Sequence, residues 1–152
     1  MTNSAFTLYQ EGRFVALRWH TPNPDAVHAL SDIVEDAHDR HGPVLLCPII
    51  GPECPPPDGA TREAFTDTYD LVHDCSQSVR LVVLGAGARQ SFMRGVITTL
   101  TVATGLRGQG FVVDKSIRET VRIAEQTLGL DGEALLRALI EGGLVSAEES
   151  KL

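Results

Sequence analysis

The sequence has no long hydrophobic run and no excess of positive charge. No apolar stretch approaches the roughly 20 residues that a membrane-spanning helix needs, and the opening MTNSAF lacks the basic region and apolar core of a secretory signal. Asp and Glu number 20 against 13 Lys and Arg, a formal net charge of −7, which opposes non-specific binding to nucleic acid or anionic lipid. We therefore expect a cytoplasmic protein whose partners include neither nucleic acid nor a membrane.

Closely spaced metal ligands are also missing. The three cysteines, Cys47, Cys54 and Cys75, form no CxxC pair, and His38 and His41 are followed by no third ligand at a characteristic distance. We therefore expect no metal site and no cofactor. Cys47 lies in an apolar run and is predicted to be a small core residue, whereas Cys54 lies among prolines and could be exposed.

No catalytic motif stands out, and we predict a protein that is not an enzyme. The G-x-S-x-G elbow of serine hydrolases is missing. Gly85 and Gly87 resemble the start of a dinucleotide-binding turn, but Gln90 stands where a third glycine belongs. The alternative is a nucleotide- or small-molecule-binding protein or enzyme, in which backbone N–H groups between Gly85 and Arg89, together with the Arg89 guanidinium, hold an anion.

The chain does contain strand and helix patterns, which alternate along most of its length. Two short β-type runs flank Glu11-Gly12, a spacing typical of a hairpin. An amphipathic helix is predicted to end near Gly42, and the apolar run over 43–50 indicates a central strand covered on both faces. Similar patterns predict, in order, a helix over 60–75, a strand over 79–84, an apolar helix over 88–104, a strand over 110–113 and two last helices capped by Ser116 and Asp131.

This order of elements predicts an α/β fold in a single domain. Alternating strands and helices form parallel crossovers, so we expect a mixed, mostly parallel sheet of about five strands that begins with the hairpin. The predicted domain spans residues 1–152, with its core over about 6–128, an extra C-terminal helix over 131–143 and a short tail over 144–152.

Two loops are candidates for a binding edge, because each follows an apolar strand pattern. Pro55-Pro56-Pro57 favours a stiff, extended backbone, and the turn at Gly85 precedes a helix whose first backbone N–H groups have no partners within the helix. Parallel pairing of the two strands would bring both loops to one rim of the molecule. The candidate binding residues are Asp58, Thr61, Gly85, Gly87, Arg89 and Arg94, of which the two arginines lie in a stretch without acidic residues.

Thr61 and Ser91 each lie in the first turn of a predicted helix. A phosphate attached at either position would meet the positive end of the helix, so both are candidate phosphorylation sites. The alternative is that their hydroxyl groups simply cap the helices.

Over residues 6–128, the order of strands and helices resembles that of the STAS domain, a module of sulphate transporters and anti-sigma-factor antagonists. The resemblance implies a non-enzymatic signalling or scaffold domain that binds partner proteins or small ligands at the N-terminal ends of two helices. In the antagonists a phosphorylatable serine begins the helix after the third strand, and Thr61 in Asp58-Gly59-Ala60-Thr61 is the nearest match. Of these functions, we expect the binding of a protein partner.

Self-association is the remaining alternative. The helix predicted over residues 92–100 is apolar over most of its circumference, with Phe92, Val96 and Leu100 among its residues. Such a helix either packs on two sides within the domain or forms the interface of a homodimer, as in a purely structural protein.

Overall fold

The structure, a computed structural model, describes residues 4–85, 87, 90, 110–114 and 116–151. Its strands are β1 (Phe6–Glu11), β2 (Phe14–Trp19), β3 (Val44–Ile50), β4 (Ser76–Val83) and β5 (Phe111–Asp114). They form one mixed sheet in the order β1-β2-β3-β4-β5. Strands β1 and β2 are antiparallel, as expected of the hairpin, and the later neighbours are parallel. The predicted α/β fold with a mostly parallel sheet is therefore confirmed.

The helices in the described ranges begin at polar side chains. They are α1 (Pro24–His41), α2 (Gly59–Cys75), α3 (Ile117–Leu128) and α4 (Gly132–Glu141), followed by a 3-10 turn at Glu149–Lys151. At each α-helix the N-cap side chain accepts a hydrogen bond from a backbone N–H group of the first turn, which has no partner inside the helix. The N-cap residues are Asn23, Asp58, Ser116 and Asp131, and the last two confirm the predicted caps.

The two central parallel strands lie side by side. Leu46 of β3 pairs with Val79 of β4, and Ile49 pairs with Val82. Just beyond the pairing, the backbone N–H of Leu84 donates to the carbonyl of Ile50 at 2.8 Å. The loops that follow β3 and β4 therefore leave the sheet at the same edge, as the apolar strand patterns predict.

Each face of the sheet is covered by its own helices. On the first face, Val15, Leu17 and Leu46 pack with buried residues of α1 and α2. On the second face, which strand alternation assigns to the intervening residues, Phe14 and Leu45 pack with α3 and α4. The helix α4 contributes the side chains of Leu135 and Leu139, which are 2% and 0% exposed. The C-terminal helix is thus part of the second core.

A buried ion pair fastens β4 to β5. The Arg80 guanidinium donates from Nε to Oδ2 of Asp114 at 2.8 Å and from Nη2 to Oδ1 at 3.0 Å, and the Asp114 side chain is only 2% exposed. The Thr120 hydroxyl on α3 donates to Asp114 Oδ2 at 2.7 Å. Beside this group, burial and then the charge of Asp114 raise the pKa of the Cys47 thiol to about 12. Cys47 is fully buried, as predicted for a core residue.

Candidate functional site

The loop between β3 and α2 is held at its start by an arginine and a turn. Arg18 Nη2 donates to Oε1 of Glu53 at 2.9 Å, and the backbone N–H of Cys54 donates to the carbonyl of Gly51 at 3.2 Å. Cys54 is only 3% exposed, so the expectation that it could be exposed is wrong. The turn at Gly51 directs the Cys54 side chain into the core on the first face of the sheet, while the neighbouring Pro55 stays exposed.

The same loop is held at its end by the start of α2. Arg62 Nη1 donates to the carbonyl of Pro57 at 3.2 Å. The backbone N–H of Thr61 donates to Oδ1 of Asp58 at 2.8 Å, and this contact is the main reason that the pKa of Asp58 lies below its ordinary value. Between the two anchors, Pro56 is exposed. The segment over residues 55–62, most of which is exposed and which we call the proline edge, is therefore anchored by contacts on both sides of Pro55 and Pro56.

Thr61 lies at the proline edge but does not reach its surface. Its residue exposure is 0%, and its hydroxyl oxygen is buried. A protein kinase could reach this hydroxyl only if the first turn of α2 opened. Phosphorylation of Thr61 stays a prediction, and the structure adds the requirement that the helix start must open first.

Gly85 lies just after β4, beside Pro52 at the start of the loop that follows β3. Its φ of +106° lies in the left-handed region, and a Cβ atom there would lie 2.9 Å from Cγ of Pro52 and 2.9 Å from Cγ of Gln90. The Gln90 side chain is 3% exposed and donates from Nε2 to the carbonyl of Leu84 at 2.6 Å. Gly85 therefore serves a tight packing turn. Gly87 is exposed, and a Cβ atom there would meet no other atom within 4 Å.

The two glycines give a matched pair of substitutions. We expect Gly85→Ala to lower the free energy of unfolding by roughly 1–3 kcal/mol, because alanine is strained at this φ and would clash with Pro52. Gly87→Ala should change it by less than about 0.5 kcal/mol. Urea denaturation of both variants measures the difference. Equal stabilities would contradict the packing role assigned to Gly85.

The remaining predicted site residues cannot be placed. Arg89, Ser91 and Arg94 lie outside the described residues, as does the apolar segment over 92–100. The structure therefore places Asp58 and Thr61 at the start of α2 and Gly85 beside Pro52 of the preceding loop, and the roles expected of all these positions stay predictions.

An acidic cluster that the motifs did not reveal lies at the same edge. Arg18 Nη1 donates to Glu149 Oε1 at 2.7 Å and to the Leu144 carbonyl at 3.0 Å, while its Nη2 binds Glu53. Burial would raise the pKa of Glu149, but hydrogen bonds from Arg18 and from the Ser146 backbone outweigh it, so the pKa is lowered.

This cluster borders the turn that was considered for anion binding. Glu148 and Glu149 line the same shallow depression as Gly85. The pKa of Glu53 is also lowered, since its own backbone N–H and Arg18 outweigh the effect of burial. Glu53 and Glu149 are therefore ionised at neutral pH, and their charge, which Arg18 offsets only in part, opposes an anion at Gly85. A signal for the cluster does exist in the sequence, because Arg18 occupies the same inward register as Phe14 and therefore needs a buried partner.

An apolar cavity of about 340 Å³ lies on the first face of the sheet. Its walls are the sheet, the helices α1 and α2, and the three prolines of the loop. Trp19 and Phe65 meet edge to face inside this wall, with ring centres 5.8 Å apart. The cavity thus lies directly beneath the proline edge.

Comparison with known proteins did not identify a family. The chain matches no protein-family model, and no curated protein is significantly similar to it. Within the described ranges, no helix is both long and apolar enough to cross a membrane, and the same residues contain no group of three or more His, Cys, Asp or Glu side chains that could hold a metal ion.

Proposed function

We propose that this chain is a non-enzymatic signalling or scaffold domain that binds a protein partner through the proline edge. The observation that supports this most directly is the mounting of the loop. Glu53 is tied to Arg18 and Pro57 is tied to Arg62, yet Pro55 and Pro56 between them stay exposed.

A rigidly held, exposed loop favours binding for a thermodynamic reason. A flexible loop loses conformational entropy when a partner immobilises it, whereas a loop that is already fixed loses little. Prolines add to this effect because their backbone is restricted before binding. Exposed loops on a rigid scaffold are also where binding residues concentrate.

The resemblance to the STAS domain supports the same proposal through the layout of the fold. Such domains bind partners at helix N-termini, and here the N-terminus of α2 forms part of the proline edge together with its cap Asp58. The proposal includes a cytoplasmic location, which rests on the composition of the sequence. Homodimer formation through residues 92–100 stays an alternative, and sedimentation at several protein concentrations tests it.

The partner can be identified by site-specific cross-linking in the native cells. A photo-reactive benzoylphenylalanine at position 56 should cross-link one protein in stoichiometric amount, whereas the same residue at the exposed position 141 of α4 should not. Equal cross-linking patterns at Pro56 and Glu141 would contradict the proposed edge.

Charge reversal at the edge then measures its contribution to affinity. We expect Arg62→Glu to weaken binding of the identified partner by about tenfold or more, which corresponds to about 1.4 kcal/mol, because it alters the edge and removes the contact with Pro57. Arg122→Glu makes the same change at an exposed position of α3 and should leave the affinity unchanged. Unchanged binding by Arg62→Glu would count against the proposal.

A further inference from the structure

We propose that the apolar cavity on the first face of the sheet binds an uncharged apolar small molecule, about the size of a compound with two or three aromatic rings. This proposal does not rest on the proposed function, because it is argued from the interior lining of the cavity, although the prolines of the proline edge also form part of the cavity wall. The argument rests on the size, the walls and the charge of the cavity.

The size is that of a ligand site. The cavity measures about 340 Å³, and small-molecule sites span roughly 300–1,000 Å³. The cavity is a partly open pocket, bordered by the sheet on one side, by two helices on another and by the proline loop at its entrance.

The first face of the central strands is less completely covered than the second face, which leaves room for a ligand. In β3, Leu45 and Ile49 face the second core and are fully buried. Pro48 and Ile50 of the same strand face the cavity and stay partly exposed, as does Val79 on β4. These first-face side chains lie in the middle of the sheet, so their exposure is to the cavity.

The lack of charged side chains among the described lining residues favours an uncharged ligand. None of the described lining residues is Asp, Glu, Lys or Arg. The hydroxyl of Thr68 already donates to the Ala64 carbonyl at 2.9 Å, and His73 lies near the carboxylate of Asp74, at 3.4 Å. An ionised ligand group would lose its hydration here without gaining a counter-charge. Aromatic walls such as Phe65 and Trp19 suit the flat face of an aromatic ligand.

The chain provides its own reporter for the test. Trp19 is its one tryptophan and lines the cavity. The uncharged dye N-phenyl-1-naphthylamine brightens in apolar surroundings and absorbs where tryptophan emits. We expect the full-length protein to bind one dye molecule, with loss of Trp19 emission, energy transfer to the dye and a higher thermal midpoint.

Two valine substitutions distinguish the cavity from the rest of the sheet. Val79→Phe places an aromatic ring inside the cavity and should weaken dye binding by about tenfold or more, since the ring occupies part of the volume that the ligand needs. Val112→Phe makes the same change in β5 at a position that alternates to the opposite face from Phe111, and it should leave binding unchanged. Circular dichroism and thermal midpoints verify that both variants fold, and Val72→Phe replaces Val79→Phe if that variant does not.

Two outcomes would overturn the inference. Equal dye binding by the wild type and the folded Val79→Phe variant would place the dye elsewhere. A wild-type chain that takes up no dye would mean that the cavity does not bind an uncharged apolar ligand. Neither outcome bears on the cross-linking experiment at Pro56, so the two proposals fail separately.

Discussion

Asp114→Ala is expected to lower the free energy of unfolding by about 4 kcal/mol, because breaking a buried pair leaves an uncompensated charge. The Arg80 side chain is only 15% exposed and points both of its bonded nitrogens at Asp114. After the substitution the guanidinium would have neither a carboxylate nor full hydration. The Thr120 hydroxyl would lose its acceptor as well. Urea denaturation at neutral pH measures the loss.

A double-mutant cycle separates the interaction between Arg80 and Asp114 from the packing that each substitution removes. Arg80→Met alone should also be strongly destabilising, because the carboxyl group of Asp114, whose side chain is 2% exposed, would be left buried without its partner. The double variant with Arg80→Met and Asp114→Ala should lose clearly less stability than the sum of the two single losses, since it leaves no buried charge. If the two single losses simply add in the double variant, the pair is not the source of the effect.

Arg18→Met is expected to cost about 3 kcal/mol at pH 7, near the lower end for a broken buried pair because Glu53 is partly hydrated. The Arg18 side chain is 11% exposed and joins two carboxylates to the carbonyl of Leu144. Methionine restores the apolar stem but leaves Glu53 and Glu149 facing each other. The matched control is Arg40→Met, which removes an exposed ion pair with Asp36 and should cost less than about 0.5 kcal/mol.

The pH dependence of this loss has a definite sign. The folded-state pKa values of Glu53 and Glu149 are lowered, so their contribution to stability is fully present above the unfolded pKa of about 4.3 and is lost as the pH falls through the folded values. Without Arg18 one of the causes of the lowering is removed for both carboxylates. We therefore expect the difference in stability between the wild type and Arg18→Met to be largest above about pH 5 and to shrink below about pH 4. A difference that grows on acidification would contradict the assigned charges.

The local features of the fold could be predicted because short stretches determine them. The hairpin depends on a two-residue turn, which the structure places at Gly12 and Arg13, one residue later than the predicted Glu11-Gly12, and Gly12 adopts a φ of +57° that suits glycine. The caps at Ser116 and Asp131 use donors within three residues of the cap. Strand and helix periodicity then implied the parallel crossovers.

The contents of the candidate site depended on contacts between distant residues. Glu149 lies 131 positions from the Arg18 that binds it, and no pattern of spacing reports such a partner. The surrounding prolines suggested that Cys54 could be exposed, yet one turn at Gly51 buries it. Thr61 has the right position for a helix cap, but the packing around α2 decides that its hydroxyl is inaccessible.

The amino-acid sequence by itself therefore determined the fold class, the two central strands and the rim where their loops emerge. These follow from hydrophobic periodicity and turn chemistry, which act over a few residues. Only the tertiary structure decided that Arg18 ties two glutamates to that rim and that an apolar cavity lies beneath the proline loop. Both arise where separate elements meet, and the fit between their side chains is a property of packing in three dimensions.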